Sequence, residues 1–315
     1  MYLSIIIPLY NEEDSITRLY GELSVVLKEL KKEFEIIFVD DGSTDKSLDL
    51  LKNLQKDNIN ITVISFRRNF GQTAALSAGF DYASGEVIIT MDADLQNDPK
   101  DIPLLLSKLD EGYDLVSGWR HKRKDPFFSR KLPSMIANKF ISTITGVKLH
   151  DYGCTLKAFK KEVTDCLNLY GEMHRFIPAI ASGLGVSIAE VKVNHRERKF
   201  GKSKYGISRT IRVILDLITV KFLLSYATRP IQVFGLMGFA SGMVGFCLAL
   251  HLTIQRQFFG MPIANRPILL LAILLIFIGF QFITLGLMAE LQARTYHEAQ
   301  NKPIYLIRQI IKKDN

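Results

Sequence analysis

The residues best suited to chemistry are Asp92 and Asp94, in the stretch Glu86 to Pro99, EVIITMDADLQNDP. Two carboxylates at i and i+2, placed where a strand gives way to a loop, converge on one divalent cation if the backbone turns between them. An all-oxygen donor set favours Mg²⁺ or Mn²⁺ over a softer metal. The competing reading of an isolated D-x-D is a pair of solvated loop acids or a helix cap. Two further polar clusters weigh against it: Tyr10-Asn11-Glu12-Glu13, and Asp40-Asp41 followed by Gly42-Ser43-Thr44-Asp45.

These clusters need elements to hold them, and the apolar pattern supplies those elements in repeating order. Ser4 to Pro8 reads as a strand, and the turn after it leads to a helix with apolar residues at Ile16, Leu19, Leu23, Val26, Leu27 and Leu30. Glu35 to Val39 is a second strand, and Leu48, Leu51 and Leu54 lie on the helix that follows. A third strand, Ile61 to Phe66, precedes a small-residue helix from Thr73 to Ala83 and then the β-branched run Val87 to Thr90. Strand alternating with helix predicts an α/β fold with a doubly wound, mostly parallel sheet. Ligands of such sheets bind beyond the carboxyl ends of the strands, where all three polar clusters fall.

The 315-residue chain carries a net charge of +8, unevenly spread. Arg120 to Lys131 is net +5 and Asn194 to Arg229 is net +7, so the remainder is negative. Both basic stretches adjoin amphipathic sequence, 127–145 and 207–229, which predicts helices lying in a membrane interface near anionic lipid rather than binding nucleic acid. Beyond Ser225 lie two long apolar runs, Ile231 to Ile254 and Ile268 to Ala289, the first interrupted only by His251. At about 1.5 Å per residue each exceeds the roughly 30 Å hydrocarbon core of a bilayer, so 230–290 is expected to be a two-helix transmembrane hairpin. Small residues recur on its first helix at Gly238, Gly242, Gly245 and Ala249 and on its second at Ala272, Gly279 and Gly286, which predicts close helix packing or homo-oligomeric association. Met1 leads straight into a strand without a signal peptide, and basic residues concentrate on the outer flanks of the hairpin. The catalytic part (1–206), the tail (291–315) and both termini are therefore expected in the cytoplasm, at the inner membrane. Three cysteines without paired spacing fit a reducing compartment.

PLYNEE at Pro8 to Glu13, DDGSTD at Asp40 to Asp45, NFGQ at Asn69 to Gln72 and DADLQ at Asp92 to Gln96, in this order at strand ends, resemble family 2 glycosyltransferases of the GT-A fold. With the two apolar runs, the chain is most similar to the polyisoprenyl-phosphate glycosyltransferases of the bactoprenol glucosyltransferase type, and more distantly to dolichyl-phosphate mannose synthase. The resemblance implies that Pro8, Tyr10, Glu12, Asp40 and Asp41 hold the nucleotide, and that Asp92 and Asp94, with Gln96 nearby, carry the cation on the sugar-nucleotide diphosphate. It implies that Arg120, Arg130, Ser134, Arg198, Ser203 and Lys204 bind the acceptor phosphate and diphosphate. Here Arg198 and Gly201 stand further apart than the Arg-Gly pair of the mannose synthases, which leaves open whether Arg196 or Arg198 meets phosphate. Asp151 matches the position where related inverting enzymes place an acid near the acceptor. A phosphate monoester has its second pKa at about 6 and is mostly deprotonated at neutral pH, so the alternative to Asp151 as a base is that it orients the acceptor or stabilises positive charge at the anomeric carbon. His150 and His195 are expected to be structural.

The resulting expectation is metal-dependent, inverting transfer of a hexose, glucose from UDP-glucose, to polyprenyl phosphate at the cytoplasmic membrane face. The alternatives are mannose from GDP-mannose or an aminoarabinose derivative on the same lipid, or a non-catalytic scaffold that binds nucleotide-sugar.

Overall fold

The computed structural model describes residues 1–121, 138, 141–142, 146–167, 169, 173–197, 231–263, 266–299 and 307–311. The chain divides into two compact units, one formed by residues 1–220 with 303–315 and the other by 221–302.

The first unit is built on an eight-stranded sheet. Its strands are β1 (Leu3–Leu9), β2 (Phe34–Asp40), β3 (Ile61–Phe66), β4 (Val87–Thr90), β5 (Leu115–Trp119), β6 (Lys157–Lys160), β7 (Ile188–Lys192) and β8 (Ile307–Ile311). Their spatial order is β7-β5-β6-β4-β1-β2-β3-β8. The block β3-β2-β1-β4 is parallel, as alternation of strand and helix requires. β6 runs antiparallel between β4 and β5, and β8 runs antiparallel to β3. Neither reversal is visible in the repeat pattern. The tail, expected only to follow the hairpin, thus contributes an edge strand.

Three helices flank the parallel block, α1 (Ile16–Glu29), α2 (Ser47–Asp57) and α3 (Gln72–Tyr82), and α4 (Ile102–Asp110) packs on β5, β6 and β7. Alternation along each strand assigns the two faces. Leu3, Ile5, Ile7 and Leu9 share a core with Ile16, Leu19, Leu23 and Val26 of α1 and with Ile102 and Leu105 of α4. Ile6 points the other way, toward α3, where a Cβ on Gly79 would lie 2.3 Å from Ile6 Cγ2. Only a helix with this small a face comes so close to the sheet, which explains the run of Ala74, Ala75, Ala78 and Gly79.

Register then lines up the functional turns. Leu9 pairs with Asp40 and Ile6 with Thr90, so β1, β2 and β4 end along one edge. Asp41 N donates to Leu9 O at 2.9 Å and Met91 N to Ile6 O at 3.1 Å, which carries the alignment one residue past the strands.

The second unit consists of two long helices, Ile231–Phe259 and Pro267–Ala299, both longer than the apolar runs that announce them. Residues Val233–Phe259 and Pro267–Ala289 are long and apolar enough to cross a membrane. They pack against each other through small residues. A Cβ on Gly238 would lie 2.6 Å from Gly279 O, and one on Gly245 would lie 2.7 Å from Ala272 O. Gly242 departs from the expectation: its Cβ position faces open space, and Gly279 approaches its backbone instead.

Candidate active site

Asp41 follows β2 directly and is held by main-chain donors. Its Oδ1 accepts from Phe70 N at 2.6 Å and its Oδ2 from Gly71 N at 2.9 Å. Burial pushes its pKa up to about 6 in spite of these two bonds. The loop can approach because residue 42 is glycine: at φ +72° it occupies the left-handed region, and a Cβ there would lie 2.5 Å from the Arg68 carbonyl carbon. Asp40 has a different role. It is fully buried, accepting from Ser43 N at 3.0 Å and from Ser65 Oγ at 3.1 Å, so it ties the turn to β3.

The first turn is locked onto the second. Asn11 Oδ1 accepts from Thr44 N at 2.8 Å, and Glu12 N donates to Ser47 Oγ at 2.9 Å. Tyr10 and Glu12 are half-buried in the turn after β1, where Glu12 Oε2 accepts from Ser15 Oγ at 3.2 Å.

Asp92 and Asp94 follow β4. Asp92 Oδ1 accepts from Gln72 Nε2 at 2.8 Å, and Asp94 Oδ1 accepts from Gln96 N at 3.1 Å. Between them and Gln96, Leu95 sits at φ +63°, an uncommon conformation for a bulky residue, and it bends the chain back over Asp94. Burial, and after it the charge of Asp94, push the Asp92 pKa up to about 6, while Thr155, Arg120 and Lys157 pull it down. Two carboxylates held in mutual repulsion at a strand end fit a hard dication, whose charge would relieve it. No group of three His, Cys, Asp or Glu side chains gathers among the described residues. Two carboxylates are the protein share typical of Mg²⁺ sites that substrate phosphates complete.

Asp151 and Arg120 form a buried ion pair. Arg120 Nε and Nη2 donate to Asp151 Oδ2 and Oδ1 at 2.6 and 2.8 Å, with side-chain exposures of 17% for Arg120 and 4% for Asp151. Burial opposes the guanidinium charge, but Asp151 outweighs it and holds the Arg120 pKa above its ordinary value. Arg120 therefore spends two of its three nitrogens on Asp151. Asp151 in turn has both oxygens engaged by a fixed cation, and Arg120 N at 3.3 Å and Gly153 N at 3.1 Å add two main-chain donors.

Several contributors escape a reading of motifs. Lys157, on β6 opposite Thr90, is buried; burial pushes its pKa down, and its Nζ donates to the Cys154 carbonyl. His174 is buried with Nδ1 2.8 Å from Thr73 Oγ1, and burial pushes its pKa down to about 3, so the ring is neutral. Together with Pro8, Gln72, Asp92 and Thr155, these two line a small pocket behind the acids. The available signal was the alternation of Thr155, Lys157 and Phe159 with Leu156 and Ala158, which places a lysine inside a strand pattern.

His150 and His195 both have partners among the described residues. His150 stacks on Trp119 at 4.0 Å and 13°, with Nδ1 2.7 Å from Glu190 Oε2. His195 pairs through its backbone with Asn97, and its Nδ1 lies 2.9 Å from Arg196 O. Arg196 is held by Glu22 and by Asp98, the latter at 2.7 Å, and its N donates to Gln96 O at 2.9 Å. Arg130, Ser134, Arg198, Ser203 and Lys204 lie outside the described residues, as do nearly all of 127–145 and the whole of 207–229.

The comparisons agree with this architecture. The family model for glycosyl transferase family 2 matches residues 4–167. The dodecaprenyl-phosphate galacturonate synthase of Rhizobium johnstonii is 45% identical over 312 residues, covering 98% of this chain and 92% of that protein. Among solved structures, glucosyl-3-phosphoglycerate synthase from Mycobacterium tuberculosis is similar in fold. Its complex with Mn²⁺ and UDP-glucose gives a TM-score of 0.55 at 18% identity over 71% of this chain and 78% of that one. Its complex with UDP gives 0.55 at 19% identity over 71% and 79%. A GT-A-like mixed sheet with acids aligned at its carboxyl edge, a family match over half the chain and a near full-length relative lead to one conclusion: this protein is a glycosyltransferase, a member of glycosyl transferase family 2.

Proposed function

We propose that the protein transfers a sugar, with inversion, from a nucleoside diphosphate sugar to a polyprenyl phosphate at the cytoplasmic face of the inner membrane. The observation that carries this reading is the juxtaposition of three anionic groups. Asp41 stands at the end of β2, Asp92 and Asp94 stand at the end of β4, and Asp151 is charge-paired to Arg120, which acts electrostatically on Asp92.

Asp41, Tyr10, Glu12 and Pro8 would receive the nucleoside, where a carboxylate accepts from a base N–H or a ribose hydroxyl. Asp92 and Asp94 would hold Mg²⁺ or Mn²⁺, with Gln96 beside them. When bound, the cation acts as a Lewis acid that offsets charge on the departing diphosphate. An acceptor phosphate with its second pKa near about 6 is already largely dianionic at neutral pH. Asp151, with both oxygens on Arg120, is therefore read as orienting the acceptor side rather than removing a proton. Arg130, Ser134, Arg198, Ser203 and Lys204 are proposed to hold the lipid phosphate and the diphosphate. The planar guanidinium fork of arginine suits phosphate oxygens, which supports this.

Two donors compete. The motif resemblance favours UDP-glucose, and the relative that is 45% identical over nearly the whole chain is named for galacturonate. We favour the galacturonyl donor, because similarity of that extent covers the loops that select the sugar as well as the motifs. The helices at 231–259 and 267–299 support membrane attachment. Return of the chain to the sheet as β8 supports placing both flanks of the hairpin on one side.

The test is transfer by purified protein in detergent to polyprenyl phosphate from UDP-galacturonate, UDP-glucose and GDP-mannose, with Mg²⁺, Mn²⁺ or EDTA. Galacturonyl transfer abolished by EDTA is the expected result. Glucosyl transfer at a higher kcat/KM would return the assignment to glucose, and no transfer to any lipid phosphate would overturn the reading.

A further inference from the structure

Gln72 has no part in the nucleotide, metal or acceptor assignments, yet it makes a close contact with the metal-site acids. Its Nε2 donates to Asp92 Oδ1 at 2.8 Å. The contact is built from the backbone up. Gln72 is the first residue of α3, and the residue before it, Gly71, has φ +95°. Phe70 N and Gly71 N are both gripped by Asp41, so the position from which the Gln72 side chain departs is pinned by two hydrogen bonds. On the far side, Thr73 Oγ1 is bonded to buried His174, which pins the next residue. Asp92 itself faces Gln72, Thr155, Asp94, Arg120 and Lys157. Of these, Gln72 and Thr155 are neutral side-chain partners that reach Asp92 from other parts of the chain, and Gln72 is the amide.

A half-buried carboxylate at a strand end has several rotamers, and repulsion from Asp94 favours those that turn away from the shared cation position. The amide donor on Oδ1, with the Thr155 hydroxyl as a second neutral partner, holds one orientation without adding positive charge that would compete with the cation. We infer that Gln72 is the positioning residue of the metal site, orienting Asp92 so that it binds a divalent cation together with Asp94. Such supporting contacts typically change metal affinity by about 10- to 100-fold when removed. The segment 70–72 also joins the two acids physically, since Asp41 holds its first two residues and the third holds Asp92. This inference rests on the reading of Asp92 and Asp94 as cation ligands.

The test is Mn²⁺ binding to full-length protein in detergent, in the presence of UDP, followed by water-proton relaxation enhancement. Gln72→Met removes the donor at nearly constant volume, and Gln72→Asn keeps an amide at the helix start but withdraws it by one methylene. Both should weaken Mn²⁺ binding about 10- to 100-fold, and both should regain most of kcat at saturating Mn²⁺. Thermal unfolding in the absence of metal should stay close to that of wild type, which a purely structural role would not predict. Mn²⁺ affinity within twofold of wild type in whichever variant folds would overturn the inference alone. Wild-type protein that binds no Mn²⁺ would overturn the metal reading with it.

Discussion

The acids of the parallel block and the acid beside the mixed strands all accept from neutral N–H donors, but Asp151 carries a bidentate charged partner as well. In the parallel block Asp40, Asp41 and Asp94 accept from main-chain N–H groups, and Asp92 accepts from the Gln72 amide. Neutral donors fix a carboxylate and leave its charge available to a cation or a base N–H. Beside β5 and β6, Asp151 is fixed by the charged fork of Arg120, which cancels its charge on the spot. The difference separates acids that attract from an acid that positions.

Substitutions can break this contrast, beginning with the largest expected effect. Asp94→Asn is nearly isosteric and keeps an acceptor for Gln96 N, but removes a charge from the proposed cation site. Transfer should fall about 10³-fold, equivalent to about 4 kcal/mol, measured as turnover at limiting Mn²⁺. Near wild-type turnover would remove Asp94 from the site.

Arg120→Met tests the other side. It leaves Asp151 buried without its counter-charge, and should destabilise the catalytic domain by about 3 kcal/mol in denaturant unfolding. Combining it with Asp151→Leu should recover part of that loss. A pH–rate profile sharpens the same point: a limb belonging to the acceptor phosphate should persist in Asp151→Asn, and its disappearance would make Asp151 a general base.

The hairpin offers a comparison between two glycines. Gly279→Ala would place a Cβ 2.6 Å from Gly238 O, against backbone that cannot yield, and should cost about 2 kcal/mol. Gly242→Ala meets nothing and should be neutral or slightly stabilising through helix propensity. Thermal unfolding in mild detergent separates them, and equal effects would refute the packing.

The smallest effect concerns pH. Burial raises Asp41 from 3.8 to about 6, so the folded protein holds that proton more tightly than the unfolded chain does. Its contribution favours folding in full below about pH 3.8 and is lost as pH rises through about 6. Metal-free wild type should therefore lose about 1–2 kcal/mol relative to Asp41→Asn between about pH 4 and 6. Parallel stability curves for the two proteins would contradict it.

What the sequence determined by itself is local. Alternation of apolar runs and helical stripes placed β1 to β4, α1 and α3 to within a residue or two and located α2 without its ends, because burial on both faces of a parallel strand leaves a continuous β-branched run. The two apolar helices were legible for the same reason, since composition alone reports a segment that needs no polar partner. The acids at the strand ends were legible because turns after parallel strands share one edge. Tertiary structure decided which acids pair with what. Asp40 and Asp41 are neighbours in the chain, yet only register and the approach of residues 65 and 70–71 make the first a tie to β3 and the second a carboxylate at the site edge. Arg120 and Asp151, Gln72 and Asp92, and Lys157 behind them are brought together by β6 inserting antiparallel between β4 and β5 and by α3 closing on the sheet. Strand order, helix approach and the return of the tail as β8 are contacts between distant residues. No periodicity encodes them, because they depend on how finished surfaces fit.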